Sequence, residues 1–286
     1  MKNTLINMNC SKAKSSFSDA LHKHGYAILT NHLIETSLIN ETYNQWERFF
    51  SSELKFEYLR SKIDGEGYVP NNIENGKNFS KPDLKEFYHF YNWGRRPKNI
   101  NIKSTLDLYF SFLNLGGLLV KWLDEAMPRK IFHSLSMPLE KMIDGSTRNM
   151  LRILHYPPIN QYSSGVRSAP HTDINLLTML PVSTGPGLEI LDKNQCWQKV
   201  YSEKNAIIVT SADMLEISTS GYYPSALHRV VNPTDPKSNI SRYSMPFFIH
   251  PRHDIELKNG LTAKAFWIQR LKEIGLYYDF LCIDKE

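Results

Sequence analysis

From about residue 148 onward the chain is punctuated at short intervals. Segments rich in Ile, Val, Leu and Phe follow one another at 149–156, 174–181, 187–192, 196–201, 206–210, 213–217, 226–232 and 241–249. Turn-forming groups separate them: Pro157-Pro158, Gly185-Pro186-Gly187, Asp192-Lys193-Asn194 and Asn232-Pro233-Thr234-Asp235-Pro236. Strand candidates spaced by about 8–12 residues indicate a β-sandwich or barrel. Eight of them suit a jelly roll, two facing sheets wound as a double-stranded β-helix. The expected class is mainly β with flanking α.

The earlier part of the chain reads differently. Phe17, Ala20, Leu21 and His24 recur at helical spacing over 11–24, and Gly25 stands where a helix stops. Residues 26–29 read as a short strand, and 34–60 as a second helix with Leu38, Tyr43, Trp46, Phe49, Phe50 and Leu54 as its apolar positions. Residues 61–103 form a long Gly-, Asn- and Pro-rich connection, with Asn71 to Ser80 irregular. It includes an aromatic strand in which Tyr88 and Phe90 share one face, Phe87 and His89 the other. The broad apolar face of 104–127 predicts the clearest helix. Its central Gly116-Gly117 implies either close approach to another element or a local weak point, and Pro128 ends it. A further helical turn or two is expected over 129–144, and a last helix over 261–280. The expected organisation is a helical and mixed region, 1–147, packed on the outside of a jelly-roll core, 148–286, as one compact unit.

Composition narrows the class of function. With 41% hydrophobic residues the chain can bury a large core. A net charge of +5 with scattered Lys and Arg offers no basic stripe, so no nucleic-acid partner is expected. Cys10, Cys196 and Cys282 are too few and too far apart for a disulfide framework, which points to a reducing, cytoplasmic compartment. Met1 to Cys10 is polar and lacks the apolar stretch of a signal peptide. The apolar runs are shorter than a bilayer span, so no membrane role is expected. Nothing in the composition sets an oligomeric state.

The chemistry centres on Pro170-His171-Thr172-Asp173, directly before an apolar run. On a strand, side chains two apart share a face, so imidazole and carboxylate could converge on one ion. In a chain with ten histidines such a pair is as often accidental as functional. His228 lies 55 residues beyond Asp173 on a late strand, and in a jelly roll an early and a late strand can be neighbours. Two imidazoles and one carboxylate leave half an octahedral sphere open, as in non-haem Fe(II) oxygenases. Zinc accepts the same donors, and a satisfied core histidine is the plainer reading of His228 alone. Arg242 and Ser244 follow on one face of a late strand, where a guanidinium and a hydroxyl can hold a carboxylate. His22, His24 and His32 lie near a helix end and a turn without a carboxylate at ligand spacing, and are read as structural.

Taken together these segments resemble the Fe(II)- and 2-oxoglutarate-dependent oxygenases of the isopenicillin N synthase type. Ala20 to Tyr26 through Asn31-His32 is similar to the family's N-terminal segment, and Pro82-Asp83-Leu84-Lys85-Glu86 to its "DLKE" element. Leu151-Arg152-Ile153 through Tyr156-Pro157-Pro158, His171-Thr172-Asp173, Gly187-Leu188-Glu189-Ile190, His228-Arg229-Val230-Val231 and Arg242-Tyr243-Ser244 follow in family order. The resemblance implies that His171, Asp173 and His228 bind Fe(II). It implies that Arg242 and Ser244 bind the distal carboxylate of 2-oxoglutarate, and that Tyr156 touches co-substrate or substrate. Leu154 and His155 depart from the pattern, standing where plant relatives often carry Asn and an aromatic. Val209 to Asp213 and Ser218 to Gly221 depart as well, at barrel packing and the pocket rim. Asp173 is present, unlike in the iron halogenases.

The expected activity is oxidation by O₂ of a small molecule such as an amino acid or biosynthetic intermediate, with hydroxylation ahead of desaturation or ring closure. One alternative is an oxidase that works without 2-oxoglutarate. Another is a catalytically silent jelly-roll binding protein. Phe87, Tyr88, Phe90, Phe247 and Phe248 are candidate pocket walls and equally candidate core residues.

Overall fold

Side chains alternate along every long strand, and that alternation sorts this protein into an outer packing face and an inner working face. The computed structural model describes residues 4–61, 64–71, 73, 83–160, 165–200 and 203–274. Strand β1 (Leu5–Asn7) leads to helix α1 (Ala13–His24), strand β2 (Tyr26–Thr30) and helix α2 (Thr36–Phe50). Strands β3 (Gly67–Val69) and β4 (Glu86–Phe90) precede helix α3 (Lys103–Ala126) and two short helices, α4 (Arg129–Phe132) and α5 (Leu139–Ile143). Then come β5 (Met150–Tyr156), β6 (Ser168–His171), β7 (Leu177–Pro181), β8 (Leu188–Leu191), β9 (Trp197–Lys199) and β10 (Ile207–Ser211). Helix α6 (Asp213–Ser218), β11 (His228–Val230), β12 (Arg242–Ser244) and β13 (Phe247–Ile249) follow. The hairpin β14 (Glu256–Lys258) and β15 (Leu261–Thr262) leads into helix α7 (Ala263–Glu273).

Among the described residues the large sheet has nine strands, ordered β1-β2-β10-β7-β13-β5-β4-β3 with β12 also paired to β5. The small sheet has four, ordered β6-β11-β8-β9. The expected jelly roll is present. The N-terminal region does more than cover it, because β1 to β4 are hydrogen-bonded members of the large sheet.

Helices cover the outer face. Trp46 packs on Tyr88 at 4.9 Å between ring centroids, and Phe112 stacks on Phe247 at 5.5 Å. Leu151, Ile153, Met179, Val209 and Ile249 complete this apolar layer, all of them fully buried. The inner face of the same strands carries Phe87, Leu154 and Tyr156, with Met150 and Phe248 nearer the mouth. Of the candidate pocket walls, then, Tyr88, Phe90 and Phe247 belong to the helix layer, while Phe87 and Phe248 face inward. By length and composition alone, α3 could cross a membrane, although no single apolar run in it is long enough. Here its apolar side is buried, with Leu108, Phe112, Leu119 and Leu123 inaccessible to solvent.

Several expected elements differ in ways with physical causes. Residues 213–217 are helix α6 rather than a strand: Met214, Leu215 and Ser218 are buried at helical spacing, and tertiary contacts override a short β-prone run. The strand expected over 174–181 begins only at Leu177. The run 241–249 breaks into β12 and β13 at Met245-Pro246, because proline cannot donate to the ladder. Helix α2 ends at Phe50, and a separate 3-10 turn, Glu53–Tyr58, starts under a cap from Ser52. Residues 129–144 form two short helices, each preceded by proline. Strand β6 escaped the pattern altogether. The irregular stretch from residue 74 to 80, the end of the last expected helix and Cys282 lie outside the described residues.

The two central glycines of α3 divide the readings offered for them. A Cβ on Gly116 would stand 2.5 Å from Ile249 Cδ1 and 3.0 Å from Met179 Cε, whereas one on Gly117 would meet nothing within 4 Å. Gly116→Ala should therefore destabilise by about 1–3 kcal/mol through overpacking. Gly117→Ala should stabilise by about 0.5–1 kcal/mol through helix propensity. Urea unfolding of both variants, with unchanged denaturant slope, checks the opposite signs.

Candidate metal centre

Strand β6 ends on His171 and β11 begins on His228, and the antiparallel register sets these two residues opposite each other. Their rings lie 4.3 Å apart between centroids. Asp173 is not on a strand, so the same-face argument from the sequence does not describe how it arrives. It lies in the bend after β6, held from the side of α6. The Asp213 amide donates to the Asp173 carbonyl at 2.9 Å, and the Met214 amide to those of Ile174 and Asn175 at 3.3 and 3.1 Å. The first amides of a helix lack partners within it, and here they fasten the loop that carries the carboxylate. As a result, one donor atom from each of His171, Asp173 and His228 lies within 4.8 Å of the others.

The surroundings of the three side chains fix which atoms they present. His171 Nδ1 is 2.8 Å from the Ala169 carbonyl and His228 Nδ1 is 3.0 Å from that of Ala226. A ring nitrogen facing a carbonyl must donate, so in both neutral rings Nε2 carries the lone pair. Burial, then the neighbouring His228, pushes the pKa of His171 down to about 4 against the pull of Asp173. That keeps its imidazole neutral near pH 7, as a metal ligand must be. Thr178 Oγ1 donates to Asp173 Oδ2 at 2.7 Å, and the buried Asn175 amide donates to Thr178 at 3.2 Å. The other oxygen, Asp173 Oδ1, is left facing His228 Nε2 at 4.0 Å. Sequence reasoning missed Thr178 and Asn175. They stand in the apolar-looking run after Asp173, and only the fold turns them back on it.

Asp83 and Lys85 brace β6 from the opposite side. Asp83 accepts from the Ala169 amide at 3.0 Å and from Ser168 Oγ at 3.2 Å, and pairs with Lys85 at 2.8 Å. Glu86, next in line, accepts from His155 at 2.7 Å, from Lys55 at 3.0 Å and from Tyr68. Burial raises the pKa of Glu86, but these three donors outweigh it and hold the group below its usual value. His155, one departure from the family pattern, thus ties β5 to β4 on the outer face. Leu154, the other, is plain apolar wall beside Phe87 and Val230.

Inside the barrel a cavity of about 60 Å³ joins the three metal-type ligands to Tyr156, Arg242 and Ser244. Arg242 is 1% exposed. Its Nε donates to the carbonyls of Gly185 and Pro186 at 3.0 and 3.1 Å, and its Nη2 to Ser183 Oγ at 2.8 Å. Its plane sits 5.0 Å from the Tyr156 ring. The remaining nitrogen, Nη1, is buried with no acceptor, and among the described residues no carboxylate pairs with this guanidinium. A buried cation with an unused donor is costly unless an anion completes it. An acidic ligand reaching from the metal side fits that need.

Comparison with known proteins agrees with the fold and identifies the family. Residues 147–251 match the model of the 2OG-Fe(II) oxygenase superfamily, and residues 6–105 that of the N-terminal region described as non-haem dioxygenase in morphine synthesis. A Shewanella oneidensis protein, described as a candidate oxygenase, superposes with a TM-score of 0.84 and is 35% identical, covering 95% of this chain and 99% of its own. Gibberellin 20 oxidase 4 of Arabidopsis thaliana is 27% identical over 266 residues, 87% of this chain and 68% of the plant protein. The fold is shared with a full-length Neurospora crassa protein solved in complex with alpha-KG, at a TM-score of 0.80 and 19% identity over 94% of this chain and 95% of that one. The chain belongs to the 2OG-Fe(II) oxygenase superfamily. It is a non-haem dioxygenase whose cofactors are Fe(II), 2-oxoglutarate and O₂, and it oxidises a small molecule.

If Thr178 sets which Asp173 oxygen faces the site, Thr178→Val should weaken divalent metal binding about 10- to 100-fold, the range for lost outer-sphere partners. Titration with Mn(II) followed by EPR checks this, with Asp173→Ala as the variant expected to bind no metal.

Proposed function

We propose that His171, Asp173 and His228 hold the iron, that Arg242 and Ser244 seat the distal carboxylate of 2-oxoglutarate beside Tyr156, and that the reaction is hydroxylation of an unactivated C–H bond. The observation that carries this reading is the buried, unpartnered Nη1 of Arg242 in the cavity that also holds the three ligand atoms. It supports a carboxylate co-substrate over an oxidase that draws every electron from its substrate, because such an oxidase would leave the guanidinium without a use. Two histidines and one carboxylate suit Fe(II) with several positions open.

Bound iron supplies the coupling of O₂ reduction to oxidative decarboxylation: one oxygen atom enters succinate, CO₂ leaves, and the other oxygen atom enters the substrate. The chain's own groups position and exclude. Carbonyls of Ala169 and Ala226 hold the imidazoles, and Thr178 turns the carboxylate. Arg242 is itself fixed by three acceptors before any ligand arrives, so little reorganisation is needed when a carboxylate binds. Leu180, Leu188, Ile190, Ile208 and Val230 line the cavity with apolar groups and keep water from the reacting centre. The reading includes a small molecule as partner, no nucleic acid or membrane, and a reducing cytoplasm in which the exposed Cys10 and Cys196 stay free.

Arg242→Met should raise the KM for 2-oxoglutarate by about 30-fold or more, since removing one partner of a buried charged pair costs about 2–5 kcal/mol, while the metal content stays that of the unaltered enzyme. Succinate released per O₂ consumed is the direct measurement. Oxygen uptake by the iron-loaded enzyme without succinate would sink the co-substrate assignment.

A further inference from the structure

Strand alternation carries Phe248 and His250 to the same inner face, His250 standing one residue beyond the end of β13. There it lines an outer chamber of about 380 Å³, which shares His171, Asp173 and Phe248 with the inner cavity and so opens onto the metal side. The backbone at this point is fixed twice. The His250 amide donates to Oδ1 of the buried Asn149 at 3.0 Å, and the Leu176 amide, in the bend that follows Asp173, donates to the Ile249 carbonyl at 2.9 Å. The imidazole therefore stands on the same frame as the bend that carries the Asp173 carboxylate.

The ring is only 8% exposed, yet it makes no hydrogen bond or ion pair among the described residues. Burial, then His253 and Arg148, push its pKa down to about 3. Near pH 7 it thus offers one N–H and one lone pair and carries no charge. A polar group held this far from bulk water is costly unless something in the chamber partners it. Tyr91 repeats the pattern. It is 6% exposed and lines the same chamber, its hydroxyl has no partner among the described residues, and burial raises its pKa so that it stays protonated. The cations of the chamber, by contrast, are engaged by the chain itself. Lys85 pairs with Asp83 at 2.8 Å, and Arg270 with Glu273 at 2.6 Å and Asp213 at 3.4 Å. Arg152 Nε donates to His89 Nε2 at 3.0 Å, Arg60 Nε donates to the Gly65 carbonyl at 3.2 Å, and Arg148 lies 5.7 Å over Trp267. The hydrogen-bonding capacity left over on the two buried rings is uncharged. The wall around them is apolar, with Met150, Tyr91 and Phe248 packed together and Ile174 and Leu227 toward the metal side.

We infer that the outer chamber takes an uncharged, largely apolar substrate bearing a hydroxyl group, which His250 holds while the apolar body runs along Phe248 toward His171 and Asp173. A hydroxyl accepts from an N–H and donates to a lone pair, so it satisfies the imidazole in either tautomer without charging it. This deepens the proposed function and rests on it for the location of the reacting end.

The test is calorimetric titration under anaerobic conditions of the enzyme loaded with Fe(II) and saturating 2-oxoglutarate. The probes are phenyl-substituted straight-chain alcohols, from benzyl alcohol to 4-phenylbutanol, each beside the fluoride that replaces its hydroxyl and the carboxylate of the same length. At least one alcohol is expected to bind about tenfold more tightly than its fluoride, the scale of one hydrogen bond to a buried group. The preference should vanish in His250→Phe and be partly retained in His250→Gln, which keeps an uncharged donor and acceptor, with thermal unfolding confirming that each variant is folded. A series in which no alcohol is distinguished from its fluoride, a preference that survives His250→Phe, or carboxylates that bind more tightly than every alcohol overturns the inference. Metal content measured on the same samples separates the two readings: an unaltered enzyme that holds no iron defeats the proposed centre, whereas iron-loaded enzyme indifferent to the hydroxyl defeats only the substrate class.

Discussion

In the small sheet β11 runs antiparallel to β6 with His228 opposite His171. Side chains on a strand alternate with a period of two, so a slip of one residue would turn one imidazole away from the other. The arrangement of the whole centre depends on that register. Asp83 clamps the Ser168-Ala169 end of β6, and β8 pairs with the far edge of β11. The third ligand comes by a different route, from a bend held by the first amides of α6. A rigid ladder thus supplies two donors and a loop fastened at its backbone supplies the third.

The large sheet serves two solvents at once. Its outer face is covered by α1, α2 and α3, and burying so many aromatic and aliphatic side chains there is what stabilises the sheet against the entropy of ordering it. Its inner face is free to carry groups that would weaken an ordinary core: Arg152, Thr178, Arg242 and Ser244. Gly116 is where the two roles meet, because α3 must approach β13 and β7 closely enough that even a methyl group does not fit. Close packing outside keeps the inner groups in register with one another.

Electrostatics then divides the interior by depth. At the floor Arg242 is held by carbonyls and a hydroxyl and keeps one donor unused. At the mouth Arg148 and Arg152 rest on aromatic rings. Between them burial keeps His171 neutral, and the carbonyls of Ala169 and Ala226 orient the two imidazoles.

How much of this was legible in the chain depends on whether its cause is local. The alternation that puts Phe87 and His89 on one face of β4 and Tyr88 and Phe90 on the other follows from strand geometry alone. The stop of α1 at Gly25 is equally local, a left-handed residue accepting what a larger side chain resists. His171, Asp173, His228, Arg242 and Ser244 stood out by residue type and spacing, the family resemblance added Tyr156, and the structure brings all six to one cavity. The pattern failed where distant contacts decide. Residues 213–217 read as a strand and fold as α6, because the amides of that helix find carbonyls some forty residues earlier in the chain. Thr178 and Asn175 looked like members of an apolar run until the bend turned them onto Asp173. The sequence by itself therefore determined the strand faces, the jelly roll and the residue types of the site, since these follow from periodicity and from side-chain chemistry. Only the tertiary structure decided which nitrogen of each imidazole is presented, which oxygen of Asp173 is free and which arginines face a cavity, because each depends on the path of the backbone in space, even where the partner (Ala169, Ala226 or Thr178) lies only two to five residues away.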